Sequence, residues 1–154
     1  MTARYWLMKS EPNAFSIDDL AQRPQQTEPW DGVRNYQARN MMRDDMKVGD
    51  RVFFYHSNCD EPGIVGLARI EREAYPDPTA FDPDHKHYDP KSRPEQPTWF
   101  MVDVRLERKL ARTITLTELK QRPELDQLAL VRRGNRLSVM PVSESEWHHI
   151  LSLE

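Results

Sequence analysis

Apolar and polar positions along the chain fall into short blocks whose period changes from one to the next. Tyr5-Trp6-Leu7-Met8 is a brief apolar run bounded by Lys9-Ser10-Glu11-Pro12, which predicts a buried strand that leaves its sheet before Pro12. Ser16, followed by Ile17-Asp18-Asp19, has the polar cap and first-turn acids of a helix start, and Pro24 stops that helix early. A second helix is expected from about Asn35 to near Lys47, with Gly49 suited to the turn that follows. Arg51 to Ser57 is rich in β-branched and aromatic residues and reads as a strand. After a loop at 58–63, Ile64 to Glu73 alternates well enough to be its hairpin partner. Tyr75 to Pro97 is dense in Pro and Asp without an apolar period, which predicts an extended surface loop. Alternation returns at Trp99 to Leu106. Thr115-Leu116-Thr117-Glu118 has capping-box spacing, so a short helix is expected before Pro123. Leu128 to Arg133 adds a further helical turn stopped by Gly134-Asn135. Leu137 to Val142 is a strand whose Pro141 puts it at an edge or an end. Ser143 to Glu146 repeats the capping box, and Trp147, Ile150 and Leu151 give the final helix its apolar face.

Locally connected strands with short helices at the crossings predict an α+β fold: a small closed or nearly closed β-barrel with helices outside. Its mouth would be lined by Lys9 and Ser10, Trp30 to Tyr36, Tyr55 to Ser57, and Met140. The length of 154 residues suits a single domain, 1–154. The single Cys59 excludes an internal disulfide framework and fits a reducing compartment. No apolar run approaches the ~20 residues of a membrane span, and Met1 to Ser10 lacks a signal-peptide build, so a cytoplasmic protein that stays off membranes is expected. The net charge of −3 argues against a coat for long stretches of phosphate backbone; any nucleic-acid contact must be local. Arg34, Arg39, Arg43, Arg132, Arg133 and Arg136 are candidates for clustering on one face, against the alternative of an ordinary mixed-charge surface.

The stretch Trp30-Asp31-Gly32-Val33-Arg34-Asn35-Tyr36-Gln37-Ala38-Arg39-Asn40 concentrates the candidate chemistry. It sets an indole and a tight turn beside several planar hydrogen-bonding side chains, the makings of a flat recognition site. Two readings stand, that site or a helix start with a buried tryptophan, and Asn35 serves the second as a simple cap.

Five ordered blocks carry a resemblance. They are Tyr5 to Pro12, Trp30 to Tyr36, Gly49-Asp50 with Phe53 to Ser57, Gly63-Ile64-Val65-Gly66, and Leu137 to Val142 ahead of Trp147. The chain resembles the EVE domain of the PUA-like superfamily over almost its entire length. That resemblance implies a PUA-like mixed pseudobarrel and a pocket which, in relatives including the YTH domains, accepts a flipped modified base from RNA or DNA. The stretches around Trp30, Asn35 and the Tyr55–Ser57 strand end match the family's pocket-forming parts.

A base out of its stack regains on the order of 1 to 3 kcal/mol on an aromatic platform. Trp30 is the candidate platform and Tyr55 a second wall. Val33 and Met140 are apolar neighbours of the pocket, and Asn35, Ser10 and Ser57 are donors and acceptors for the base edge. Strand alternation places Tyr55 and Ser57 on one side and His56 on the other; if that side faces the barrel interior, Tyr55 is a core residue. Lys9, Arg34 and Arg39 are candidates for the flanking phosphates. Trp6, Trp99 and Trp147 are expected in the core. Trp30→Ala is expected to weaken binding with the melting temperature nearly unchanged.

Two enzyme-like groupings remain: Asp82, Asp84, His85, His87 and Asp89 in one loop, and Cys59 near His56. The first lacks a helix to set ligand spacing and the second lacks an orienting third group, so neither a metal nor a cofactor is expected. The preferred function is a non-catalytic reader of a modified base in DNA or RNA. The alternative is a small enzyme acting on a nucleotide or modified nucleoside in the same pocket.

Overall fold

In the computed structural model, which describes residues 3–154, six strands form one mixed sheet. They are β1 (Tyr5–Ser10), β2 (Thr27–Pro29), β3 (Arg51–His56), β4 (Gly63–Pro76), β5 (Phe100–Thr115) and β6 (Val139–Val142). The order across the sheet is β2-β5-β4-β3-β1-β6. β1 lies parallel to β3, and every other neighbouring pair is antiparallel. β2 and β6 are therefore the two edges, and the pseudobarrel keeps a seam between them. Pro141 sits on the β6 edge, where a missing amide proton interrupts no inner ladder.

Period-2 alternation sends successive side chains into two cores, one on each face of the sheet. Trp6, Met8, Val52, Phe54, Ile70 and Val104 face one, and Leu7, Phe53, Tyr55, Leu67 and Met140 the other. The first core is closed by α1 (Ile17–Gln22) and α2 (Tyr36–Asn40), and the second by α3 (Leu116–Lys120) and α4 (Glu144–Leu151). Being covered on both faces is why β1 and β3 read as unbroken apolar runs. Trp147 of α4 stacks on Phe53 at 3.9 Å and on Tyr5 at 4.8 Å.

The helix starts follow their caps. Ser16 and Ser143 form complete capping boxes with Asp19 and Glu146, and Asn35 Oδ1 accepts from the Ala38 amide at 2.9 Å. Thr115 accepts from Glu118 N, but the return bond expected of a box is missing because the Glu118 carboxylate is engaged by Arg112 at 2.8 Å. The helix expected as far as Lys47 departs from α geometry after Asn40, where Met41–Asp45 forms a π turn with Met42 buried inside it and Met46 buried directly after it.

β5 runs nine residues beyond the expected end at Leu106. Its charged outer half stays in the sheet because it pairs with the start of β4, Gly63 opposite Thr115 and Ile64 opposite Ile114. Register shifts between the two strands accommodate the bend. Gly66 allows the first helix to close on this bend: a β-carbon there would come within 2.0 Å of Ile17 Cδ1. Beyond Pro76 the expected loop holds a 3-10 turn at Pro78–Phe81 and an isolated antiparallel bridge between Arg93 and Gln96, with turns and bends around them. No helix among the described residues is long and apolar enough to cross a membrane.

Candidate functional site

The seam between the edge strands opens into a cavity of about 570 Å3, within the size range of small-molecule sites. Glu28 and Pro29 of β2 line one side, and Arg136, Leu137 and Ser138, leading into β6, line the other. Lys9 and Ser10 at the end of β1, Phe15 ahead of α1, Ser57 after β3, and the segments 30–34 and 85–87 complete the wall. Phe15, Trp30, Val33 and Leu137 supply apolar surface, Ser10, Ser57, Glu28 and Asp31 supply polar groups, and Lys9, Arg23, Lys86 and Arg136 bring positive charge.

The Trp30 loop is held from two sides. Trp30 N donates to Val102 O at 2.7 Å, continuing the β2 ladder, and Gly32 N donates to Asp77 Oδ2 at 2.8 Å. Gly32 has φ +79°, and a β-carbon there would lie 2.3 Å from His87 Cε1, so the imidazole rests directly on the glycine. Burial, reinforced by the Arg34 charge, pushes the His87 pKa below its ordinary value, and its Nδ1 is buried without a hydrogen-bond partner. Arg34 binds the loop from beneath. Its guanidinium donates to Asp77 Oδ2 at 3.1 Å, Thr79 Oγ1 at 3.1 Å, Val33 O at 2.9 Å, and His87 O at 2.8 and 3.1 Å. Gly32→Ala is expected to destabilise the protein by at least about 1 to 2 kcal/mol, the left-handed backbone cost for an L-residue, and to displace His87. A shift of the denaturation midpoint together with a changed His87 proton resonance checks both parts.

Trp30 occupies an intermediate role between the two readings of its segment. It is only 8 % exposed and packs edge-on against Phe54 at 5.4 Å and Phe15 at 6.5 Å, yet part of it lines the cavity. The expectation that truncating it leaves stability unchanged is therefore corrected: it belongs to the first core. Trp6 and Trp147 are fully buried and Trp99 nearly so, as expected.

Of the residues named from sequence, Lys9, Ser10, Trp30, Val33, Arg34 and Ser57 line the cavity. Other candidates lie elsewhere. Tyr55 is buried in the second core, where burial pushes its phenol up to about 12, and Met140 is buried beside it. Alternation had put Tyr55 and Ser57 on one side, but β3 ends at His56 after a register shift at Phe54/Tyr55, and Ser57 N turns to donate to Ser10 O at 3.0 Å. Asn35 is exposed, outside the cavity, and engaged as the α2 cap. Arg34 is committed to the loop, and Arg39 donates to Thr98 O at 2.8 Å and lies over the Tyr36 ring at 4.9 Å.

Sequence reasoning passed over Phe15 and Glu28, weighed His87 only as a metal ligand, and named Arg136 only among six cations that could share one face. Of the two passed over, only Glu28, two residues from Trp30, offered a local signal. Burial raises the Glu28 pKa despite the nearby Arg23, and burial lowers that of Lys9. The acid-rich loop is occupied with itself: Asp82 accepts from Asp84 N, Asp89 from Lys91 N and Trp99 Nε1, and His85 Nδ1 from His87 N. Among the described residues no three His, Cys, Asp or Glu side chains are grouped to hold a metal. His56 Nε2 accepts from Ile17 N at 3.1 Å, which engages the lone pair a base would use on Cys59.

A six-stranded pseudobarrel with an aromatic-walled, cation-rimmed cavity at its open seam defines a protein of the PUA-like fold. The chain belongs to the EVE domain family, whose profile matches residues 4–153. It is 50% identical to mouse thymocyte nuclear protein 1 over 99% of this chain and 74% of that one. A crystal structure of human THYN1 protein in complex with DNA containing 5-methylcytosine superposes with a TM-score of 0.93 at 48% identity, covering 98% of this chain and 97% of that one. A Pseudomonas syringae protein of known structure is 51% identical with a TM-score of 0.93, covering 97% and 98%.

Proposed function

We propose that the chain is a non-catalytic module that accepts a modified nucleobase of a nucleic acid in the seam cavity, with 5-methylcytosine in DNA as the best-supported ligand. The carrying observation is the cavity itself, walled by Trp30 and open between β2 and β6, in a chain so similar to the human protein crystallised with 5-methylcytosine DNA. A base taken from the duplex loses stacking and pairing, and the indole face with Phe15 returns part of that loss.

The polar groups suit the cytosine edge. Carboxylates accept from its exocyclic amine, and Asp31 and Glu28 stand in the wall with Ser10 and Ser57. A 5-methyl group is read by apolar contact, for which Val33 and Leu137 are available; one such group contributes only about 1 to 3 kcal/mol. The hydrogen bonds that engage His56 and the 82–89 loop favour binding over turnover.

Matched oligonucleotides with 5-methylcytosine or cytosine, as DNA and as RNA, incubated with and without divalent metal, test this reading. Retention of the methylated DNA about 5- to 150-fold tighter, with all strands recovered intact, is the expected result. Equal retention of both bases, or reproducible product, contradicts it.

A further inference from the structure

We propose that the phosphodiester backbone flanking the bound base lies in a second, basic hollow formed by Lys120, Arg132, Arg133 and Asn135, joined to the seam cavity through Lys9. This rests on the base-binding reading and assigns the path of the strand that carries the base. The hollow measures about 520 Å3 and opens beside the first: Lys9 lines both, and Asn135 leads directly into the Arg136–Ser138 wall of the seam.

Charge separates the two spaces. Glu11, Glu28 and Asp31 line the seam cavity, but among the described residues no carboxylate lines the second hollow, in a chain of net charge −3. Lys9, Lys120, Arg132, Arg133 and Arg136 form no ion pair among the described residues. Many cations elsewhere are engaged, such as Arg34 with Asp77, Arg43 with Asp44, Arg51 with Glu107, Arg108 with Glu154 and Arg112 with Glu118; Arg39, Arg72, Lys86, Lys91 and Arg93 also form no ion pair among the described residues, but none of them lines this hollow. Lys120, Arg132 and Arg133 share the hollow with no acid, and their mutual repulsion is relieved by an anion.

Asn135 supplies an independent observation. Its Oδ1 accepts from Leu137 N at 3.3 Å, which fixes the amide, and its Nδ2 is buried with no partner. A buried donor without an acceptor is unfavourable, and a phosphate oxygen is an acceptor of the right kind. The net charge no longer argues against nucleic acid: the basic surface is local, as binding to a few phosphates requires.

The test measures affinity for methylated and unmethylated oligonucleotides across a salt series, for the wild type, R132Q/R133Q, K120Q, and R43Q as a control away from the hollow. R132Q/R133Q is expected to weaken both oligonucleotides by the same factor and to reduce the slope of log K against log salt by roughly 0.7 to 0.9 for each phosphate no longer neutralised. Its preference for the methylated strand and its affinity for free 5-methyldeoxycytidine should stay at wild-type values. K120Q should act in the same sense and R43Q should leave the slope unaltered. A wild-type slope in R132Q/R133Q, or a weakening confined to the methylated strand, refutes the backbone path. Absence of base preference in the wild type, with the slope still falling in the double variant, defeats the base reading and leaves the basic path standing.

Discussion

Trp30→Ala is expected to lower the melting temperature by roughly 10 °C and to weaken binding of 5-methylcytosine DNA by about 5- to 150-fold per folded molecule. The first effect follows from packing. Trp30 is buried against Phe54 and Phe15, and truncating a buried tryptophan typically costs about 3 to 5 kcal/mol, with about 2 to 4 °C of melting temperature per kcal/mol in a chain of this size. The second is the loss of a stacking partner worth on the order of 1 to 3 kcal/mol. The two are separable by measuring affinity well below the melting transition and normalising to the folded fraction. Trp30→Phe, which retains an aromatic face, should recover more of the affinity than of the stability. A destabilised Trp30→Ala with wild-type affinity per folded molecule would make the indole a core residue alone.

Asp77→Ala is expected to cost about 3 to 5 kcal/mol, because Asp77 is fully buried and joins the Trp30 turn to the loop beyond β4. Its carboxylate accepts from Gly32 N at 2.8 Å, Thr79 N at 2.9 Å, Thr79 Oγ1 at 2.6 Å and Arg34 Nη1 at 3.1 Å. Removing it leaves a largely buried guanidinium without its counter-charge and two amides without an acceptor. Burial alone would raise its pKa, but the Thr79, Gly32 and Arg34 hydrogen bonds outweigh that and hold it below the ordinary carboxylate value. A depressed folded-state pKa gives stability that is present above the unfolded value of about 3.9 and is lost as pH falls through the folded one. Denaturation midpoints of wild type and Asp77→Asn should therefore differ most at neutral pH and converge below about pH 4. A gap independent of pH would show that the Asp77 charge contributes nothing.

What the sequence made legible was local. Ser16, Asn35, Thr115 and Ser143 announce their helices because a cap acts within three residues, and the apolar runs at Tyr5–Met8 and Val52–Tyr55 announce strands covered on both faces. The outer half of β5 was hidden because its charges hold no apolar period; its place is fixed by a partner strand some fifty residues earlier. The cations divide in the same way. Arg34 and Arg39 stood nearest the informative turn, but Asp77, His87 and the Thr98 carbonyl, 43 to 59 positions away, claim them. Arg132, Arg133 and Arg136 look no different in sequence and stay unpaired. Tyr55 and Ser57 diverge because a strand end and a register shift break the alternation on which their pairing rested.

The most direct test of the central claim is a crystal structure of the protein bound to a duplex carrying one 5-methylcytosine. The base should be rotated out of its stack and seated in the seam cavity against Trp30, with its methyl group near Val33 or Leu137 and its amine facing Asp31 or Glu28. A complex in which the duplex stays fully stacked, with the seam cavity empty and the DNA on another face, contradicts the account.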